Sequence, residues 1–206
     1  MSSAVVETHG HDAADHGAHG HVTNTGQSNE KLGMWVFLGS ECLLFGGLIS
    51  TYLLYRSKST GVKPKDVFDI PFTSVSSFVL LMSSLTMVLA LSAFQRRDQR
   101  LGRLWLTTTA ILGAMFVGGQ VYEFRGFYKE GLGFTTNLFS SSFYVLTGFH
   151  GVHVTVGVIM LLSLVMMSRR GTLTPDKVET VEIIGLYWHF VDIVWILIFT
   201  IVYLIP

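Results

Sequence analysis

The chain has 206 residues, 50% of them hydrophobic and 14% charged, and its 14 Lys and Arg are balanced by 14 Asp and Glu to a formal net charge of zero. A mean hydropathy of +0.49 lies outside the globular range and excludes a soluble domain built on a conventional core, so the chain reads as an integral membrane protein. Basic residues scattered through short loops give no footing for nucleic acid, and Cys42, the only cysteine, excludes a disulfide framework or a CxxC metal or redox pair.

Residues 1–31 form the first region, a polar tail rich in Gly, Ala, Asp, Thr and His that is expected to be disordered. It lacks the basic and apolar regions of a cleaved signal peptide, so the first helix is expected to remain as an anchor. Within HGHDAADHGAHGH, the imidazoles of His9, His11, His16, His19 and His21 stand among Asp12 and Asp15. Imidazoles exchange protons near neutral pH and adjacent carboxylates raise their proton affinity, which leaves a proton-collecting surface open. A solvated low-complexity tail is preferred over a specific metal site.

Residues 32–206 hold five apolar spans, at about 33–55, 72–94, 103–123, 138–167 and 180–205, each near the ~20 residues that cross ~30 Å of hydrocarbon. The fourth is longer than the hydrocarbon requires, which predicts a strong tilt or a start beyond the membrane surface. Short connections predict one antiparallel all-α bundle of five transmembrane helices. Small residues four apart (Ala110, Ala114 and Gly118; Gly46 with Ser50; Gly47 with Thr51) mark expected close approaches. Counting Lys and Arg by side gives 8 with the tail and the second and fourth loops, against 6 on the other side. This predicts a cytoplasmic N-terminus and an outside C-terminus.

Polar residues inside the spans are the candidate functional groups. Glu41, six residues past Trp35, lies roughly 9 Å deep at 1.5 Å per residue. An ionised carboxylate at depth costs about 2.5 to 3.5 kcal/mol, so it is either a protonated acid bonded across helices or a proton-exchanging or headgroup-sensing carboxyl. Glu123, in QVYEF next to Arg125, reads as an interfacial residue, although it is kept among the candidates for a buried polar network. In the fourth span, FYVLTGFHGVHVTVG places His150 and His153 three apart, hence on one face that should turn inward. In the fifth, LYWHFVDIVW carries His189 and Asp192, and Glu182, His189, Asp192 and Ile196 line up as one polar stripe expected to face protein. The two polar faces are expected to meet or to lie close together. Three imidazoles with Glu41 or Asp192 could ligate zinc, iron or haem by ligand type, but HxxH puts both rings on one helix, and a hydrogen-bond network is preferred. No nucleotide loop, nucleophile elbow or paired catalytic carboxylates occur.

The segments MWVFLGSECLLFGG, TGFHGVHVTVG and LYWHFVDIVWILIF, in that order from about Leu32 onward, resemble subunit III of the haem-copper respiratory oxidases, which include cytochrome c oxidases and quinol oxidases. The resemblance implies an accessory subunit without a redox cofactor, packed beside subunit I, which carries the haems and copper, and associated with subunit II or a larger respiratory supercomplex. It places the family's buried glutamate on Glu41 and its motif histidines on His150, His153 and His189, followed by Asp192. It also implies bound phospholipid in a cleft, support of proton uptake, protection from turnover inactivation, and a place in the bacterial inner (plasma) membrane. Longer members carry two further N-terminal helices where this chain has its histidine-rich tail. Two other readings are kept: a metal-ion transporter, and the subunit-III-like protein that accompanies nitric oxide reductases.

Overall fold

A computed structural model describes residues 28–58, 70–129, 133–134, 137–173 and 177–205. The histidine-rich segment, with His9, His11, His16, His19 and His21, lies outside the described residues. Five helices follow one another: α1 (Asn29–Lys58), α2 (Ile70–Gln95), α3 (Gln99–Lys129), α4 (Leu138–Arg169) and α5 (Val178–Phe199), the last continued by a π-helical turn at Thr200–Leu204. All five are long and apolar enough to cross a membrane, and no strand occurs among the described residues. The helices overrun the expected spans at most ends. The 31 residues of α3 reach about 46 Å at 1.5 Å per residue, so its ends stand in the headgroup layers, where hydropathy no longer marks them. α1 likewise begins at Asn29, inside the stretch assigned to the tail.

Local chemistry sets the ends. α2 closes where Arg97 takes a left-handed φ of 63°, with Asp98 N–H donating to Ala93 O at 3.0 Å. The Asp98 side chain then accepts from the backbone N–H of Arg100 and Leu101 at 3.2 and 3.0 Å and so caps α3. Asn137 accepts from Ser140 N–H at 2.6 Å to start α4. Gly171, with φ of 71°, ends it, and Thr172 N–H donates back to Met167 O at 3.0 Å. Pro71 sits in the first turn of α2, where its missing N–H costs nothing.

The helices α2 to α5 close a ring: α2 packs on α3 and α5, and α4 packs on α3 and α5. α1 lies outside this ring against α4 and α5. Its inward residues recur at alternating steps of three and four through Lys31, Met34, Leu38, Glu41, Phe45, Leu48 and Tyr52, the narrow seam of a helix that touches its neighbours along one line. Only 11% of its apolar window is buried, against 50% for α5.

α5 is the core helix because of two tryptophans one heptad apart. The Trp188 indole donates to Ser83 Oγ at 3.0 Å and the Trp195 indole to Ser77 Oγ at 2.8 Å, both on α2. Gly113 of α3 and Gly157 of α4 make room for Trp188: a Cβ on Gly157 would meet the indole at 2.8 Å, and one on Gly113 would overlap it. The expected small-residue contacts are corrected here. Gly46 and Gly47 have nothing near them, Ser50, Thr51, Ala114 and Gly118 are exposed, and only Ala110 is buried. Those open positions lie on helix faces that no other described helix of this chain covers.

Candidate functional site

The α1 seam brings Glu41 to His153 of α4, with Oε2 at 3.1 Å from Nε2. Their side chains are 14% and 15% exposed. The other ring nitrogen, Nδ1, lies 2.7 Å from Phe149 O, and a carbonyl only accepts, so Nδ1 carries a hydrogen. Nε2 must therefore either accept from a protonated Glu41 or donate to its carboxylate. In both cases the pair holds one shared proton and no net charge, which lets two ionisable groups sit inside a membrane without an isolated ion. The Tyr187 hydroxyl of α5 donates to His153 O at 3.0 Å, and the Phe45 ring sits edge-on 5.0 Å from the imidazole. Beside the pair, Met34, Phe37, Val152, Val156, Met160 and Tyr187 line an almost wholly apolar cavity of about 270 Å³.

His150 is inward as expected but separate from His153. It is fully buried, stacked on Trp195 at 4.9 Å with Phe116 edge-on at 5.9 Å. Neither ring nitrogen has a partner among the described residues.

The two polar faces lie on helices that pack together, but His150 and His153 form no hydrogen bond with His189 or Asp192. α4 and α5 pack through His150 on Trp195, Gly157 against Trp188 and the Tyr187 hydroxyl on His153 O. His189 turns instead to α2, its Nδ1 2.5 Å from Ser84 Oγ. Asp192 is buried beside the same serine without a well-formed hydrogen bond. The polar stripe of α5 is also not uniformly covered: Asp192 is buried, His189 and Glu182 are half-buried, and Ile196 is 42% exposed. Glu182 pairs with Lys31 of α1 at 2.6 Å, and Glu179, one turn earlier, accepts from the Ser28 hydroxyl.

Glu123, near the C-terminal end of α3, is enclosed by the bundle. It is buried, and its Oε1 accepts from the Thr73 hydroxyl of α2 at 2.8 Å and the Tyr203 hydroxyl of the π-helical turn at 3.0 Å. Neighbouring Arg125 suggested a surface position, but side chains two apart on a helix point about 160° from each other.

Sequence reading missed Thr73, Ser84, Tyr187 and Tyr203, whose hydroxyls complete these bonds, and Arg56, which donates to Ile201 O at 2.9 Å and Ile205 O at 2.6 Å. The run of Ser and Thr on α2 was the available signal. Among the described residues no three His, Cys, Asp or Glu side chains converge as metal ligands would, and the suggested set of His150, His153, His189, Glu41 and Asp192 is spread over three seams.

Five spanning helices tied by polar bonds across their seams define the class: a polytopic all-α membrane protein. The profile of the family described as Cytochrome c oxidase subunit III matches residues 5–205, and the chain belongs to that family. It is 40% identical to a cytochrome c oxidase subunit 3 of Bacillus sp. (strain PS3), over 85% of this chain and 86% of the relative. It is 37% identical to a quinol oxidase subunit 3 of Bacillus subtilis (strain 168), over 92% and 97% of the two chains. A cytochrome bo(3) ubiquinol oxidase subunit 3 of Pseudomonas aeruginosa is also 37% identical, over 99% of this chain and 98% of its own.

Proposed function

We propose that the chain is the accessory subunit III of a haem-copper terminal oxidase that reduces oxygen in aerobic respiration, packed mainly on catalytic subunit I, with subunit II and a larger respiratory assembly as further neighbours. The Glu41–His153 pair carries this reading, because it puts the SE and GFHGxH motifs of the resemblance in one bonded unit within a chain that belongs to the subunit III family. The subunit's part is to hold subunit I in its working form and to sustain proton uptake into it. In the bacterial plasma membrane, a cytoplasmic N-terminus agrees with the loop charges. The α2–α3 turn and the α4–α5 connection touch through Gln99, which donates to Leu173 O at 3.4 Å and accepts from Ser168 Oγ at 3.2 Å. The basic residues of those two connections thus share one end of the bundle. The cavity beside Glu41–His153 suits a phospholipid chain, its wall completed by another subunit.

The test is a mild-detergent pull-down through this chain with an absorption spectrum and metal analysis of the product. Haem bands and copper that leave with a larger subunit are expected. A nitric oxide reductase as the attached haem protein would move the chain to that assembly, and metal retained by the isolated chain would revive the transporter. The transporter reading also needs helices broken around a midplane site; α1 to α5 run unbroken, with proline only in the first turn of α2. The tail histidines His9, His11, His16, His19 and His21 are assigned to gathering protons near the uptake entrance. Deleting residues 1–25 should then slow turnover at high pH, and an unchanged pH profile would remove that role.

A further inference from the structure

The helices α1 and α2 follow each other in the chain yet make no main interface. Each packs instead on α5, from either side. α1 meets it at Tyr187, Phe190 and Ile201, and α2 meets it at Gly185, Trp188, His189 and Trp195. By helical periodicity, the strip of α5 left between them runs through Leu186, His189, Ile193 and Leu197. Ile193 is 58% and Leu197 50% exposed, and on the α2 side Leu81 and Val88 are open as well.

Glu182 and Thr200 on this strip have partners, in Lys31 and Ile196 O, which leaves one polar atom unpaired in a mostly apolar trough. Ser84 holds His189 by Nδ1, while Nε2 has no hydrogen-bond partner among the described residues and is not sealed inside the bundle. His189 lies eleven residues past Val178, roughly 16 Å along the helix at 1.5 Å per residue, near the middle of ~30 Å of hydrocarbon. Neither water nor lipid offers a polar atom at that depth. The Glu41–His153 pair differs, because each member satisfies the other. The α1 wall is tied to α5 and its continuing turn near both ends, by Lys31–Glu182 and by Arg56 on the carbonyls of Ile201 and Ile205. From Glu182 to Ile201 the trough runs roughly 28 Å, the length of one membrane crossing.

We infer that this trough seats a single transmembrane helix of a neighbouring oxidase subunit, which presents a hydrogen-bonding side chain to His189 Nε2. The inference rests on the reading of the chain as an oxidase subunit. A lipid chain could cover the leucines and isoleucines but would leave the imidazole unpaired.

The test uses the whole complex, purified through this chain with a photo-reactive amino acid at Ile193 and with its haem spectrum recorded first. Absence of haem would sink the oxidase reading itself, before any crosslink is considered. With haem present, the expected product is one adduct, identified by mass, to another oxidase subunit. His189→Leu should lower its yield roughly threefold to tenfold. Adducts to lipid alone or to a second copy of this chain would overturn the proposal, as would a yield that His189→Leu leaves unchanged. Should His189→Leu fail to assemble, the adduct formed with His189 in place still decides what occupies the trough.

Discussion

At the scale of single residues, the Glu41–His153 pair has value only as a pair. Glu41→Gln keeps a donor for His153 Nε2 and should cost less than 1 kcal/mol, whereas Glu41→Ala strands the ring nitrogen and should cost about 1 to 3 kcal/mol. Thermal melting of the purified complex reads both, and equal losses would mean that the hydrogen bond contributes nothing. Which residues were polar and inside the membrane could be read from the chain; their partners could not. Glu123 shows why. Its bonds go to Thr73 and Tyr203, 50 and 80 residues away, and no local pattern encodes which helices are neighbours.

At the scale of elements, α5 is keyed into the bundle by Trp188 and Trp195. Gly157→Ala puts a methyl group into the Trp188 indole and should cost about 1 to 3 kcal/mol through overpacking, seen as a lower melting temperature. Gly118→Ala, on an open face, should change little. In the α2–α3 turn, Arg97 holds a left-handed φ that glycine accepts without strain. Arg97→Gly should therefore leave stability unchanged or raise it by up to about 1 kcal/mol, and a marked loss would show that the Arg97 side chain has a role of its own. The five helices were legible because apolar runs of membrane length have no other reading. The glycines that matter were not, because Gly113 and Gly157 are recognisable only once Trp188 is placed between them.

At the scale of the molecule, α1 is attached along one narrow seam and pinned near both ends. Arg56→Met removes two bonds to the carbonyls of Ile201 and Ile205, each worth about 1.5 kcal/mol or more to a charged donor. Hydrogen exchange at residues 201–205 should then speed up roughly a hundredfold while the α2–α5 ring stays protected. Exchange that rises equally across the ring would mean that α1 is integral to the core rather than added to it.

The order of synthesis gives this arrangement a further meaning. α1 leaves the ribosome first, yet its partners are the last two helices: Glu41 waits for a residue 112 positions later, and Ser28 and Lys31 for residues 151 positions later. Until α4 and α5 have been inserted, the first helix must stand in the bilayer alone, held there by its own hydrophobicity. Docking of α1 can be completed only once α4 and α5 have been inserted, when Glu41 meets His153 and Lys31 meets Glu182.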